Sequence, residues 1–155
     1  MNSTERATAL GDRAWHALLD RHNDVVRHQL GRFGGWEVKA LGDGFLVTFD
    51  RPARAVRCAA TIVEAVRSLG IEVRAGLHAG EIEIAGDDVT GIAVHIAARI
   101  AAIAQGRQVL VSRTVRDLVA GSNLRLADQG ARALKGLSEE VRVFSVVLED
   151  DGHVE

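Results

Sequence analysis

Cysteine, aromatic residues and charge of one sign are all scarce in this 155-residue sequence. A single cysteine, Cys58, excludes an internal disulfide and a disulfide-stapled scaffold. It lies in an Ala/Val-rich stretch and reads as a small buried hydrophobe on a helix. A reducing, cytoplasmic setting is expected. There is no tyrosine, and two tryptophans and four phenylalanines are the whole aromatic content. Stacking platforms for nucleic-acid bases are therefore not expected. The formal net charge is -2, with acids and bases mixed along the chain, so no basic nucleic-acid footprint is expected either. No apolar run approaches the ~18 to 20 residues of a membrane span, and no membrane contact by this chain is expected. The start, Met1-Asn2-Ser3-Thr4-Glu5-Arg6, has no apolar signal region, so no export signal is expected.

What is present is a core. Apolar residues make up 47% and charged residues 26%, in a length that suits one domain. Helical periodicity runs from about Asp12 to Phe33 through Trp15, Leu18, Leu19, Val25, Val26, Leu30 and Phe33, with Gly34-Gly35 as its stop. Glu37–Gly42 and Phe45–Phe49 read as two strands joined at Asp43-Gly44, a tight-hairpin dipeptide. Asp50, as a cap, and Pro52, in the first turn, open a second helix that Gly70 ends. Ile71–Leu77 and Glu81–Ile84 alternate as strands. Gly86-Asp87-Asp88 is expected to introduce a third helix reaching about Gln105. Val109–Val111 follows as a strand. Ser112 caps a short helix to Ala120, closed by Gly121. Leu124–Leu126 and Val141–Val147 are the last strands, and residues 148–155 form an acidic tail. Hairpins mixed with helical crossovers imply an α+β sandwich with helices packed on a mainly antiparallel sheet.

Several side chains are candidates for chemistry, although each is ordinary alone. Asp43 is a turn aspartate. Lys39 is an exposed strand lysine. If the third helix begins at Asp88, then Asp88, His95 and Arg99 share one stripe at ~100° per residue, beside the small Ala93, Ala97 and Ala101. Lys135 sits in the loop Leu134-Lys135-Gly136. His16, His22 and His28 recur at six-residue intervals on the first helix, which separates them around its axis, so they make no ligand cluster. His78 is read as structural. No Gly-x4-Gly-Lys-Ser/Thr sequence occurs, which disfavours a P-loop.

Order and spacing give these residues a joint meaning. Glu37 to Phe45 resembles the metal-binding hairpin of the class III adenylyl/guanylyl cyclase catalytic domain. Asp88 to Arg99 resembles its nucleotide-binding helix, and Leu134-Lys135-Gly136 its late phosphate-contacting loop. The resemblance covers nearly all of Ser3 to Val147, and so assigns residues 1–147 to the catalytic domain. It implies a ferredoxin-like cyclase sandwich, N-terminally truncated, because the first strand with the first metal aspartate would lie just before Asn2. Either another segment, a rearranged sheet or an altered dimer is expected to compensate.

By the same resemblance, the reaction is conversion of ATP to cyclic AMP and pyrophosphate by attack of the ribose 3′-hydroxyl on the α-phosphorus. Two divalent ions, Mg2+ or Mn2+, assist in the intact family. Asp43 matches a metal-binding aspartate. Lys39 and Asp88 match the pair that reads adenine, Arg99 the arginine that stabilises the transition state, and Lys135 the lysine on the terminal phosphates. His95 stands where the family usually has an asparagine that orients the ribose. The sites form at the interface of a head-to-tail homodimer. With one metal aspartate of two, this chain is expected to be weak or inactive by itself. The alternative reading is a cyclase-like dimerising or nucleotide-binding module without turnover.

Overall fold

The computed structural model describes residues 11–41 and 44–148. Helix α1 spans Asp12–Phe33 and buries Trp15, Leu18, His22, Val26 and Leu30, the three- and four-residue spacing of one helical stripe. Gly34 ends it at φ 78°, a left-handed conformation that glycine adopts without a Cβ penalty. Helix α2, Pro52–Ala65, continues as a 3-10 turn over Val66–Leu69 and stops at Gly70. The expected Asp50 cap is not made. Pro52 is the first helical residue, so the extended residue before it, Arg51, becomes the N-cap and has no side-chain capping bond.

The main sheet holds four strands in the order β3 (Ala75–Leu77), β6 (Val109–Ser112), β8 (Val141–Val146) and β7 (Leu126–Arg132). The β3–β6 pair is parallel and the other two pairs are antiparallel. A parallel pair needs a crossover, and helix α3, Ile92–Ile103, supplies it. Strand β6 is buried along its whole length. Its side chains alternate between two cores. Val109 and Val111 join Val56, Val63, Phe144 and Val146 on the α2 side. Leu110 joins Ile100, Ala104, Leu134 and Val143 on the α3 side. Helices therefore cover both faces of this sheet. The short helix α4, Arg113–Leu118, starts at Ser112, whose Oγ accepts from the Val115 amide at 3.3 Å, the cap expected from the sequence.

Two ribbons stand beside the sheet. Strands β1 (Trp36–Leu41) and β2 (Gly44–Thr48) form the expected hairpin, which shares no ladder with the main sheet among the described residues. Phe45, Val47 and Phe49 attach it to Val26, Leu30 and Cys58 of α1 and α2. Its register slips by one residue. Glu37 pairs with Val47 and Lys39 with Leu46, so Val38 is an extra residue in β1. The second ribbon pairs β4 (Glu83–Ala85) with β5 (Asp88–Thr90).

That second ribbon corrects the sequence reading. The third helix does not begin near Asp88. Gly91 has φ 129°, outside helical geometry, and Val89 and Thr90 pair across to Ile84 and Glu83. Asp88 is therefore a strand residue at a hairpin turn and does not share a helical stripe with His95 and Arg99. Two strands are also displaced from their expected limits: β3 begins only at Ala75, and β7 runs from Leu126 to Arg132.

Candidate functional site

Helix α3 is set against β3 at Gly76. A Cβ on Gly76 would lie 2.7 Å from Ala101 Cα and 2.8 Å from the Ala97 carbonyl oxygen, so only glycine permits this approach. The same helix buries Ile100 into the core, with Ile96 and Ile103 packed beside it. These contacts fix its rotation, and with it His95 and Arg99, which are one turn apart. Arg99 is half-buried, and its Nε is shielded from solvent with no hydrogen-bond partner among the described residues. A buried donor without an acceptor costs about 1–3 kcal/mol, so an oxyanion arriving there would relieve a penalty already present.

The loop between β7 and β8 meets this helix at His95. Leu134 is buried, and its carbonyl accepts from the Leu137 amide at 3.1 Å, which anchors the loop. Gly136 turns at φ 85°, and a Cβ on it would lie 3.0 Å from His95 Nε2. Lys135, the residue before this glycine, is exposed.

Lys39 and Asp88 come from the two ribbons and meet. Lys39 Nζ lies 3.2 Å from each Asp88 carboxylate oxygen. The Val89 amide donates to Asp88 Oδ1 at 2.7 Å. That amide first, and the Lys39 ammonium second, hold the Asp88 carboxyl below the usual carboxylate range. Both side chains are nearly half exposed, at 44% and 46%. The pair is thus an accessible donor beside an accessible acceptor, joining residues 49 positions apart.

Asp43 lies outside the described residues. Among the described residues no group of three or more His, Cys, Asp or Glu side chains is placed to hold a metal ion. The described residues do not form a metal site by themselves. Among them, too, no helix is long and apolar enough to cross a membrane. A surface hollow of about 420 Å³ lies elsewhere, lined by Arg116, Asp117, Val119, Ala120, Gly121, Leu124 and Leu126, and none of the candidate residues borders it.

Two features near the site escape sequence reasoning. One is the Val38 bulge, because Trp36–Leu41 reads as a plain alternating strand. The other is the contact of His78 at the end of β3, whose Nδ1 lies 2.7 Å from Ser112 Oγ. Burial lowers the His78 pKa. The structural reading of His78 is thereby given a partner, the residue that caps α4.

Residues 2–148 match the family described as the adenylate and guanylate cyclase catalytic domain. A putative adenylate cyclase of Rhizobium meliloti is 29% identical over 144 residues, covering 86% of this chain. The chain spans only 24% of that relative's length. A solved structure described as an adenylate/guanylate cyclase/hydrolase from Silicibacter pomeroyi is 28% identical, with TM-score 0.76 over 91% of this chain and 86% of the other. An adenylyl cyclase structure from P. aeruginosa shares the fold at TM-score 0.83 and 22% identity, over 94% of this chain and 88% of that one. The chain belongs to the adenylate and guanylate cyclase catalytic domain family.

Proposed function

We propose that this domain cyclises ATP to cyclic AMP and pyrophosphate. The observation that carries the choice of ATP is the Lys39–Asp88 pair, 3.2 Å apart and open to solvent. Adenine offers a ring-nitrogen acceptor next to an exocyclic amine donor. Lys39 donates to the first and Asp88 accepts from the second. Guanine presents the opposite polarity at that edge, so neither side chain finds its match there and the pair keeps its own contact.

In the reaction, the ribose 3′-oxygen bonds to the α-phosphorus while the bond to the pyrophosphate oxygen breaks. Arg99 donates to the phosphoryl oxygens as their charge grows, and its unpartnered Nε supports that role. Lys135 contacts the terminal phosphates. His95 donates a hydrogen bond to the ribose in place of the family's usual asparagine. A divalent cation, Mg2+ or Mn2+, is proposed with Asp43 as its carboxylate on this chain. The assembly is a homodimer in which Asp43 of one copy faces Lys39, Asp88 and Arg99 of the other. Exposed apolar side chains on and beside the β4–β5 ribbon support it: Ile84 in β4 is 79% exposed, Ile82 just before β4 is 40% exposed, and Ile92 at the start of α3 is 62% exposed.

The test is an assay for cyclic AMP with ATP and Mn2+, on this chain and on a version extended upstream of Met1. Arg99→Ala is expected to lower kcat by ~100-fold or more with little change in nucleotide affinity. Lys39→Met and Asp88→Asn are expected to erode the preference for ATP over GTP. Tight nucleotide binding with no cyclic product from either form would overturn the proposal in favour of a binding module.

A further inference from the structure

We propose that Arg27 and Glu37 are positioning residues for Lys39: by clamping β1 beside the Val38 bulge they turn Lys39 toward Asp88, and so set base preference without touching the base. This rests on the reading of Lys39 and Asp88 as the adenine-recognising pair.

Strand register sets where Lys39 points. In an uninterrupted strand, residues 37 and 39 point to the same face. Here Glu37 pairs with Val47 and Lys39 with Leu46, which are neighbours on β2 and so point to opposite faces. Val47 and Phe45 pack toward α1 and α2, and Glu37 lies on that side. Lys39 lies on the other side, against Asp88. Without the extra residue at Val38, Lys39 would share the helix face with Glu37 and point away from Asp88. The bulge aims the lysine.

The clamp lies directly beside the bulge. Arg27 on α1 reaches Glu37 with two bonds, Nε to Oε1 at 2.9 Å and a terminal nitrogen to Oε2 at 3.2 Å. A guanidinium fork on a carboxylate fixes orientation as well as distance. The same guanidinium carbon stands 5.3 Å from the Phe45 ring centroid, so Arg27 grips both strands of the hairpin. His22, also on α1, faces Phe45 with ring centroids 6.3 Å apart. This grip matters because the hairpin shares no ladder with the main sheet among the described residues. Its orientation depends on α1 on one side and on the Lys39–Asp88 contact on the other.

The experiment measures Kd for ATP and GTP, by competition with a fluorescent ATP analogue, on the whole 155-residue protein. The variants are Arg27→Met, Glu37→Gln and the double variant, with Arg27→Lys as the conservative substitution. Arg142→Met is the control. It breaks another exposed ion pair, Arg142 Nη1 on both Asp128 carboxylate oxygens at 2.8 and 2.9 Å, in a pair of strands that carries no site residue. Each single clamp variant is expected to lower the ATP:GTP affinity ratio about fivefold, the scale of one well-formed exposed ion pair. The double variant should be no worse than either single one, and Arg27→Lys should recover part of the ratio. Arg142→Met should leave the ratio unchanged. A ratio preserved in both clamp variants, or lowered equally by Arg142→Met, overturns the inference alone. A parent protein with no preference for ATP overturns the base-reading assignment, and this inference with it.

Discussion

The thiol of Cys58 is 1% exposed between α1 and α2, with Sγ 3.6 Å from the Gln29 carbonyl oxygen. Burial pushes its pKa up from 9.0 to about 11. A raised folded-state value means that the thiol's contribution to stability is complete below pH 9.0 and is lost as pH rises through about 11. Iodoacetamide at pH 8 is therefore expected to leave Cys58 unmodified in the folded protein and to label it rapidly in denaturant. Rapid labelling without denaturant would show that the α1–α2 seam opens. The sequence announced this residue well, because alanine and valine surround it and a lone small hydrophobe has one ordinary place to be. The family resemblance joined Lys39 and Asp88 as a pair, but no local pattern announced their direct contact. It depends on which way a strand faces after a bulge, and composition carries no trace of that.

At the scale of elements, helices α1 and α2 and the β1–β2 hairpin were legible because strong periodicity ends at glycines or at Asp43-Gly44. The segment from Gly86 to Gly91 was misread. Asp87 and Asp88 resemble a helix start, yet Gly91 interrupts the backbone and Val89 and Thr90 favour a strand. The setting of α3 was likewise hidden, since Gly76 looks like any glycine in a strand until a helix is packed on it. Gly76→Ala brings a methyl group against the Ala97 carbonyl and the Ala101 backbone. It is expected to destabilise the fold by about 3 kcal/mol, the upper end of ordinary overpacking. It should also weaken nucleotide binding, because α3 carries His95 and Arg99. Denaturant unfolding checks the first effect and ligand titration the second. An unchanged unfolding midpoint would mean that α3 does not rest on β3.

For the whole molecule, the β4–β5 ribbon is where the proposed homodimer finds an apolar surface to cover. Ile84 pairs directly with Val89, so the two side chains share a face. Val89 is 9% exposed and Ile84 is 79% exposed, and the face thus begins in the core and continues outward uncovered. Ile84→Asp is expected to weaken self-association by tenfold or more if this face is central to a dimer. Sedimentation over a concentration series checks it, and unaltered association would move the interface elsewhere. The proposed site has two unlike ends. Lys39 and Asp88 already satisfy each other, so on that reading a base must replace a partner that is in place. Arg99 Nε has no partner among the described residues, so a phosphoryl oxygen whose charge grows there would evict nothing. Under the proposal, discrimination is concentrated where an exchange is compulsory and catalysis where it is not: a mismatched nucleotide would lose to the protein's own internal contact before its phosphorus reacts.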